Sequence, residues 1–119
     1  MSWIKVAEKV AKKSQFRHKV GAVIIKGGRV LSVGYNEIRY AKIKRPYPES
    51  LHAEVAAIYR SIQTGHDLSG ASIYVCRASG DSFRLSKPCP HCMSLIKTVG
   101  IKKVVWSEQG DQTRSVYLV

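Results

Sequence analysis

Two short stretches of the chain hold side chains that could bind a cation or move a proton. They are His52-Ala53-Glu54 and Lys87-Pro88-Cys89-Pro90-His91-Cys92-Met93. The second sets two thiols three residues apart. Such a pair serves disulfide exchange, a structural zinc clamp, or part of a catalytic metal site, and the local sequence leaves all three open. The first sets an imidazole and a carboxylate two residues apart. Alone, it is ordinary for a helix start, a capping or packing histidine with a glutamate favoured by the helix dipole.

Each reading makes demands on the rest of the chain. Cys89-Pro90-His91-Cys92 resembles the redox motif of thioredoxin-like folds, but those folds place a cis-proline later on, and no proline follows Cys92. A closed structural site needs four ligands, and neither His91 nor His66 falls at a spacing that pairs with a thiol. A site shared by both stretches needs only that two helix starts meet. Cys89 and Cys92 project to one face of their helix while His52 opens another. One nitrogen and two sulfurs could then surround a single Zn²⁺, leaving a fourth position for water.

His52-x-Glu54 followed by Pro88-Cys89-x-x-Cys92 is the signature of zinc deaminases that act on nucleobases. With it the chain resembles the cytidine deaminase superfamily, which includes deoxycytidylate and tRNA-adenosine deaminases. The resemblance covers the leading helix, the hairpin VGAVIIKGGRVLSVGYN, HAE on the next helix, a strand, PCPHC on the third helix, and the strand after it. It implies a hydrolase whose zinc ligands are His52, Cys89 and Cys92. Glu54 would be the catalytic acid–base, and the metal would bring the pKa of its water toward about 7. The implied reaction is attack at the amino-bearing carbon, a tetrahedral intermediate, and loss of ammonia. Asn36 matches an asparagine that contacts the substrate sugar, and the Ala53 N–H falls where relatives bond the base carbonyl. Asn36 also reads as a turn residue tolerating left-handed backbone. His91 is expected at the pocket rim or just behind the ligands rather than on the metal.

These residues must be positioned by a regular scaffold, and the patterning supplies one. Ser2 can cap a helix with Trp3, Val6, Ala7 and Val10 on one face. Two β-branched strands follow, joined at Gly27-Gly28. A polar loop leads to a helix over LHAEVAAIYRSI, with Ser50 as cap and Leu51, Val55, Ile58 and Ile62 along its apolar side. The run ASIYVCRA predicts a buried strand in which Cys76 is a small core residue. The loop SGDSFRLSKP delivers the chain to a helix starting near Pro90 and ending before Gly100. KKVVWS and VYLV close the order α-β-β-α-β-α-β-β. The expected fold is α/β, a three-layer α-β-α arrangement about a mixed five-stranded sheet, formed by residues 1–119 as one domain. Only EQGDQTRS separates the last two strands, too short for a parallel crossover, so an antiparallel ending is expected. That resembles the cytidine deaminase branch and departs from the tRNA-adenosine and deoxycytidylate deaminases, which continue into C-terminal helices. Without such helices to close its pocket, the chain is expected to form a homo-oligomer.

Composition bounds the partners. The chain has 119 residues, 45% hydrophobic and 24% charged, with a formal charge of +12 concentrated in residues 1–50. No apolar run approaches the roughly 18 residues of a membrane span, and Lys5, Glu8 and Lys9 interrupt any signal-peptide core. Three cysteines, an odd number, suit a reducing, cytoplasmic setting better than a disulfide framework. The positive charge suits phosphate, whether on a nucleotide or on nucleic acid, or else a solubilising surface. Arg39, Lys42, Lys44 and Arg45, with Tyr40 and Tyr47, border the expected pocket as candidate phosphate or nucleic-acid contacts. The resemblance, whose small stand-alone members act mostly on free substrates, makes cytosine in a nucleoside or nucleotide the first expectation; the charge makes cytosine or adenine in single-stranded DNA or RNA the second. A zinc-stabilised nucleic-acid-binding module without catalysis is the alternative of another class, and it leaves Glu54 without a role.

Overall fold

The computed structural model describes residues 2–39, 49–80 and 82–118. Helix α1 (Trp3–Ala11) leads into strands β1 (Lys19–Lys26) and β2 (Arg29–Tyr35). Two short strands, β3 (Glu37–Arg39) and β4 (Glu49–Leu51), pair with each other ahead of helix α2 (Ala53–Gln63). Strands β5 (Ser72–Ser79) and β6 (Ser82–Arg84), helix α3 (Pro90–Thr98) and strands β7 (Lys103–Ser107) and β8 (Thr113–Tyr117) complete the order.

The β1–β2 hairpin closes on Gly27 and Gly28, whose φ angles of 59° and 75° lie in the left-handed region that favours glycine. Strand β1 pairs antiparallel with both β2 and β5. The far edge of β5 serves two partners in turn. Its first half, Ser72–Val75, pairs parallel with β7, and its second half, Arg77–Ser79, pairs antiparallel with β6. Strand β8 then pairs antiparallel with β7, as the short connection requires.

Alternation along the strands assigns each face its helices. Val23, Ile25 and Cys76 pack with Phe83 beneath Ile4 and Ala7 of α1. Ala22, Ile24, Ile73, Val75 and Val104 point the other way, under Ala53, Ala57 and Ile58 of α2 and Ile96 of α3. This is the expected three-layer α-β-α arrangement. Removing each such isoleucine from water contributes about 1.5–3 kcal/mol. Two glycines bring helices onto the sheet at backbone contact. A Cβ at Gly21 would lie 2.2 Å from the Ala7 carbonyl oxygen, and one at Gly34 would lie 2.4 Å from the Ala57 nitrogen.

The main sheet has six strands rather than five, because the segment read as a loop contains β6. Helix α2 begins at Ala53 with His52 as its N-cap, since Ser50 is drawn into β4. Its buried side is lined by small residues, Ala53, Ala56 and Ala57, together with Glu54, Ile58 and Ser61, while Ile62 faces solvent at 52% exposure. Ser2 caps α1 through its backbone carbonyl only. The last strand starts at Thr113, ahead of the VYLV run, and all five of its residues are exposed. No helix among the described residues is long and apolar enough to cross a membrane.

Candidate active site

The starts of α2 and α3 meet above the sheet. Gly34 lets α2 settle against β2, which brings His52 and Glu54 toward α3. On α3, Pro90 occupies the first turn, where its missing N–H costs nothing. The Cys92 N–H donates to the Cys89 sulfur at 3.4 Å, so one thiol caps the helix that carries the other. The Cys89 loop is held from below by a small hydroxyl network. Ser86 Oγ donates to the Val75 carbonyl and lies 2.8 Å from Ser107 Oγ, while Ser107 Oγ donates to the Arg84 carbonyl. The N–H groups of Arg77 and Ser107 donate to Ser107 Oγ and Ser86 Oγ respectively. These bonds fill the place where β5 changes neighbours.

Ring-nitrogen and sulfur atoms of His52, Cys89 and Cys92 all lie within 4.8 Å of one another. His52 Nδ1 is 3.2 Å from Cys92 Sγ. All three cysteines are free thiols. A tetrahedral zinc with bonds of about 2.0–2.3 Å holds its donors roughly 3.5 Å apart, and one imidazole with two sulfurs is a donor set zinc favours. The residues therefore fit the ion. His91 is exposed and is not among the cavity walls; His66 lies beyond the far end of α2, outside the cluster.

Glu54 is 5% exposed. Burial holds its carboxyl above the usual carboxylate range, with its own backbone N–H, His52 and Cys92 opposing. Burial, reinforced by the Glu54 carboxylate, pushes the Cys92 thiol well up. A cation bound among these donors would reverse that tendency, because zinc takes thiolates. Cys76 lies on the opposite face of the sheet, under α1, and burial raises its thiol to about 11.

His52, Ala53, Glu54, Cys89 and Asn36 line one cavity of about 320 Å³. Asn36 is not in left-handed backbone. Its Oδ1 accepts from the Val20 N–H at 2.9 Å and its Nδ2 donates to the His18 carbonyl at 2.6 Å, latching the end of β2 to the start of β1. One Nδ2 hydrogen stays available to a ligand. The same cavity is walled by His18, Val20, Arg77, Leu85, Ser86 and Lys87, which sequence reasoning did not single out. Only the strand pairing reveals them, since it sets Val20 directly beside Arg77. Lys42, Lys44 and Arg45, with Tyr40 and Tyr47, lie outside the described residues. Arg39 ends β3.

The family described as the cytidine and deoxycytidylate deaminase zinc-binding region matches residues 1–108. Deoxycytidylate deaminase of Enterobacteria phage T4 is 27% identical over 81% of this chain and 70% of its own length. The apo dCMP deaminase of cyanophage S-TIM5 superposes with a TM-score of 0.72 at 27% identity, covering 89% of this chain and 79% of that one. A cytidine deaminase from Burkholderia pseudomallei shares the fold, with a TM-score of 0.74 at 22% identity over 97% of this chain and 89% of its own.

Proposed function

This chain belongs to the cytidine and deoxycytidylate deaminase family, and from that premise we propose that it hydrolyses the exocyclic amino group of cytosine in a nucleoside or nucleotide. The observation that carries the reading is a cavity walled by the buried Glu54, His52 and Cys89, with the donor atoms of His52, Cys89 and the buried Cys92 within 4.8 Å of one another. His52, Cys89 and Cys92 would hold zinc, whose chemistry is to make water nucleophilic near neutral pH. A phage relative of the same fold is known in complex with dCMP and dUMP, at 26% identity and a TM-score of 0.67, which supports a cytosine nucleotide as substrate.

The chain's own residues divide the remaining work. The Ala53 N–H, at the start of α2, is free to donate to the base carbonyl and fix the ring's orientation. Asn36 offers its second amide hydrogen to the sugar. Glu54 takes a proton from water as its oxygen bonds to the amino-bearing carbon, and delivers that proton to the adjacent ring nitrogen. It then carries the second water proton to the amine. The carbon–nitrogen bond breaks, ammonia leaves, and the ring keeps a carbonyl. Burial suits Glu54 to this shuttle, because raising a carboxyl's pKa makes it a better acceptor for the proton it must take from water and pass on. The exposure of His52 and Leu85 at the cavity supports a second copy of the chain completing its wall, which sedimentation velocity tests.

The test is incubation of zinc-loaded protein with cytidine, deoxycytidine, their monophosphates, and cytosine- or adenosine-containing oligonucleotides. A mass gain of about one unit with ammonia release is expected for a cytosine nucleoside or nucleotide. Zinc bound in stoichiometric amount without ammonia from any substrate would leave a non-catalytic zinc module instead.

A further inference from the structure

A second cavity, of about 550 Å³, opens directly beside the first and shares His18, Arg77 and Leu85 with it. Its remaining walls include Arg17, Lys19 and Arg84, and no carboxylate among the described residues lines it. Two of these cations stand where strand pairing alone would not put them. Arg77 of β5 and Arg84 of β6 are register partners, so their side chains leave the sheet on the same face, directly opposite each other. Like charges in that relation destabilise a strand pair. None of the ion pairs among the described residues involves Arg17, Arg77 or Arg84. Arg77 instead donates to His18 Nδ1 at 2.6 Å, a neutral acceptor that leaves the guanidinium charge unbalanced.

From this we propose that the second cavity binds the phosphate chain of the substrate, and that this chain carries more than one phosphate. The proposal rests on the reading of the first cavity as the deamination site. Asn36, taken there as the sugar contact, is bonded to the His18 carbonyl, and His18 walls both cavities. A sugar at Asn36 therefore directs its phosphate substituent toward Arg77 and Arg84. A single phosphate carries a charge of about −1.5 to −2, which two guanidinium groups would neutralise. Three guanidinium groups around about 550 Å³, with the Lys19 ammonium beside them engaged at the Ser14 carbonyl, match a di- or triphosphate better. Arginine's planar fork suits phosphate oxygens.

The experiment compares kcat/KM for cytidine and deoxycytidine with their 5′-mono-, di- and triphosphates, in the parent protein and in Arg77→Gln, Arg84→Gln and Arg29→Gln. The expected result is a rise from nucleoside to di- or triphosphate that weakens with salt. Arg77→Gln and Arg84→Gln should lower the di- and triphosphate values about tenfold to a hundredfold more than the nucleoside values. Arg29→Gln, on the exposed start of β2, should change none. Equal kcat/KM across the series, or a maximum at the monophosphate, overturns the proposal. Pyrophosphate titrated calorimetrically, with zinc content measured before and after, reads the subsite without turnover. If no cytosine compound is deaminated yet pyrophosphate binds and Arg84→Gln weakens it tenfold or more, the deaminase reading fails and the anion site stands. No pyrophosphate binding by the parent protein overturns the anion site, whatever the catalytic result.

Discussion

Replacing Gly34 with alanine tests how the scaffold sets the candidate site. The new Cβ would lie 2.4 Å from the Ala57 nitrogen and 2.6 Å from the Ala53 oxygen, where ordinary contacts begin near 3.4 Å. Both obstacles are helix backbone, so α2 must retreat by about 1 Å as a body. Overpacking of this kind costs about 1–3 kcal/mol. The loss of unfolded-state freedom on replacing glycine returns only about 0.4–1 kcal/mol. A net loss of about 1–2 kcal/mol lowers the melting temperature of a domain this size by roughly 4–8 °C. The functional effect should be larger, because His52 and Glu54 ride on the helix that moves while Cys89 and Cys92 do not. A 1 Å misplacement of reacting groups can cost about 10²-fold in rate. The assays are thermal unfolding of the zinc-loaded protein, zinc affinity by chelator competition, and deamination of cytidine and its phosphates. Gly21→Ala is the comparison, since its Cβ strikes α1 at 2.2 Å but α1 carries no site residue. It should destabilise to a similar degree without a matching fall in zinc affinity. A Gly34→Ala protein that melts with the parent and binds zinc as tightly would refute the reasoning.

Glu54→Gln should retain zinc, measured by metal analysis, and lose about 10²–10⁴ in kcat; an active variant would remove Glu54 from the chemistry. Asn36→Ala should lose about 1–2 kcal/mol in denaturant unfolding through its two latch bonds. Asn36→Asp should recover little, because a carboxylate faces the His18 carbonyl it can no longer donate to. Cys76, with its thiol raised to about 11 by burial, stays protonated through pH 8 and should resist alkylation until the chain unfolds. Chelating zinc should make Cys89 the first thiol to label, with Cys76 reacting only in denaturant.

What could be read in the residues followed from local pattern. The α1 periodicity, the Gly27-Gly28 turn and the proline-started third helix are each written in a few adjacent positions, and each formed. The antiparallel ending followed from the length of one connection. Strand β6 escaped because Ser82-Phe83-Arg84 has a single apolar residue, and its pairing with β5 is set by the tertiary fold. Ser50 is a better capping residue than His52, yet pairing of β3 with β4 holds Ser50 extended and leaves the cap to His52. Ile62 fits the expected apolar face, but the close seat on Gly34 turns the alanine side of α2 inward. Cys89, Cys92, His52 and Glu54 were legible because their spacing survives in sequence. Arg17, Arg77 and Arg84 come from three separate segments, and only the paired strands gather them around one cavity.

The hydroxyls of Ser86 and Ser107 stand in for the strand carbonyls that β5 lacks where its neighbour changes. Backbone protons at Arg77 and Ser107 thus depend on side-chain acceptors for their shelter from solvent exchange. Any breathing that parts β7 from β5 must also release the segment leading to Cys89. Deuterium uptake at those two amides would consequently rise and fall together with loosening of the thiol-bearing turn, making one pair of serines the fuse between the sheet's far edge and its reactive end.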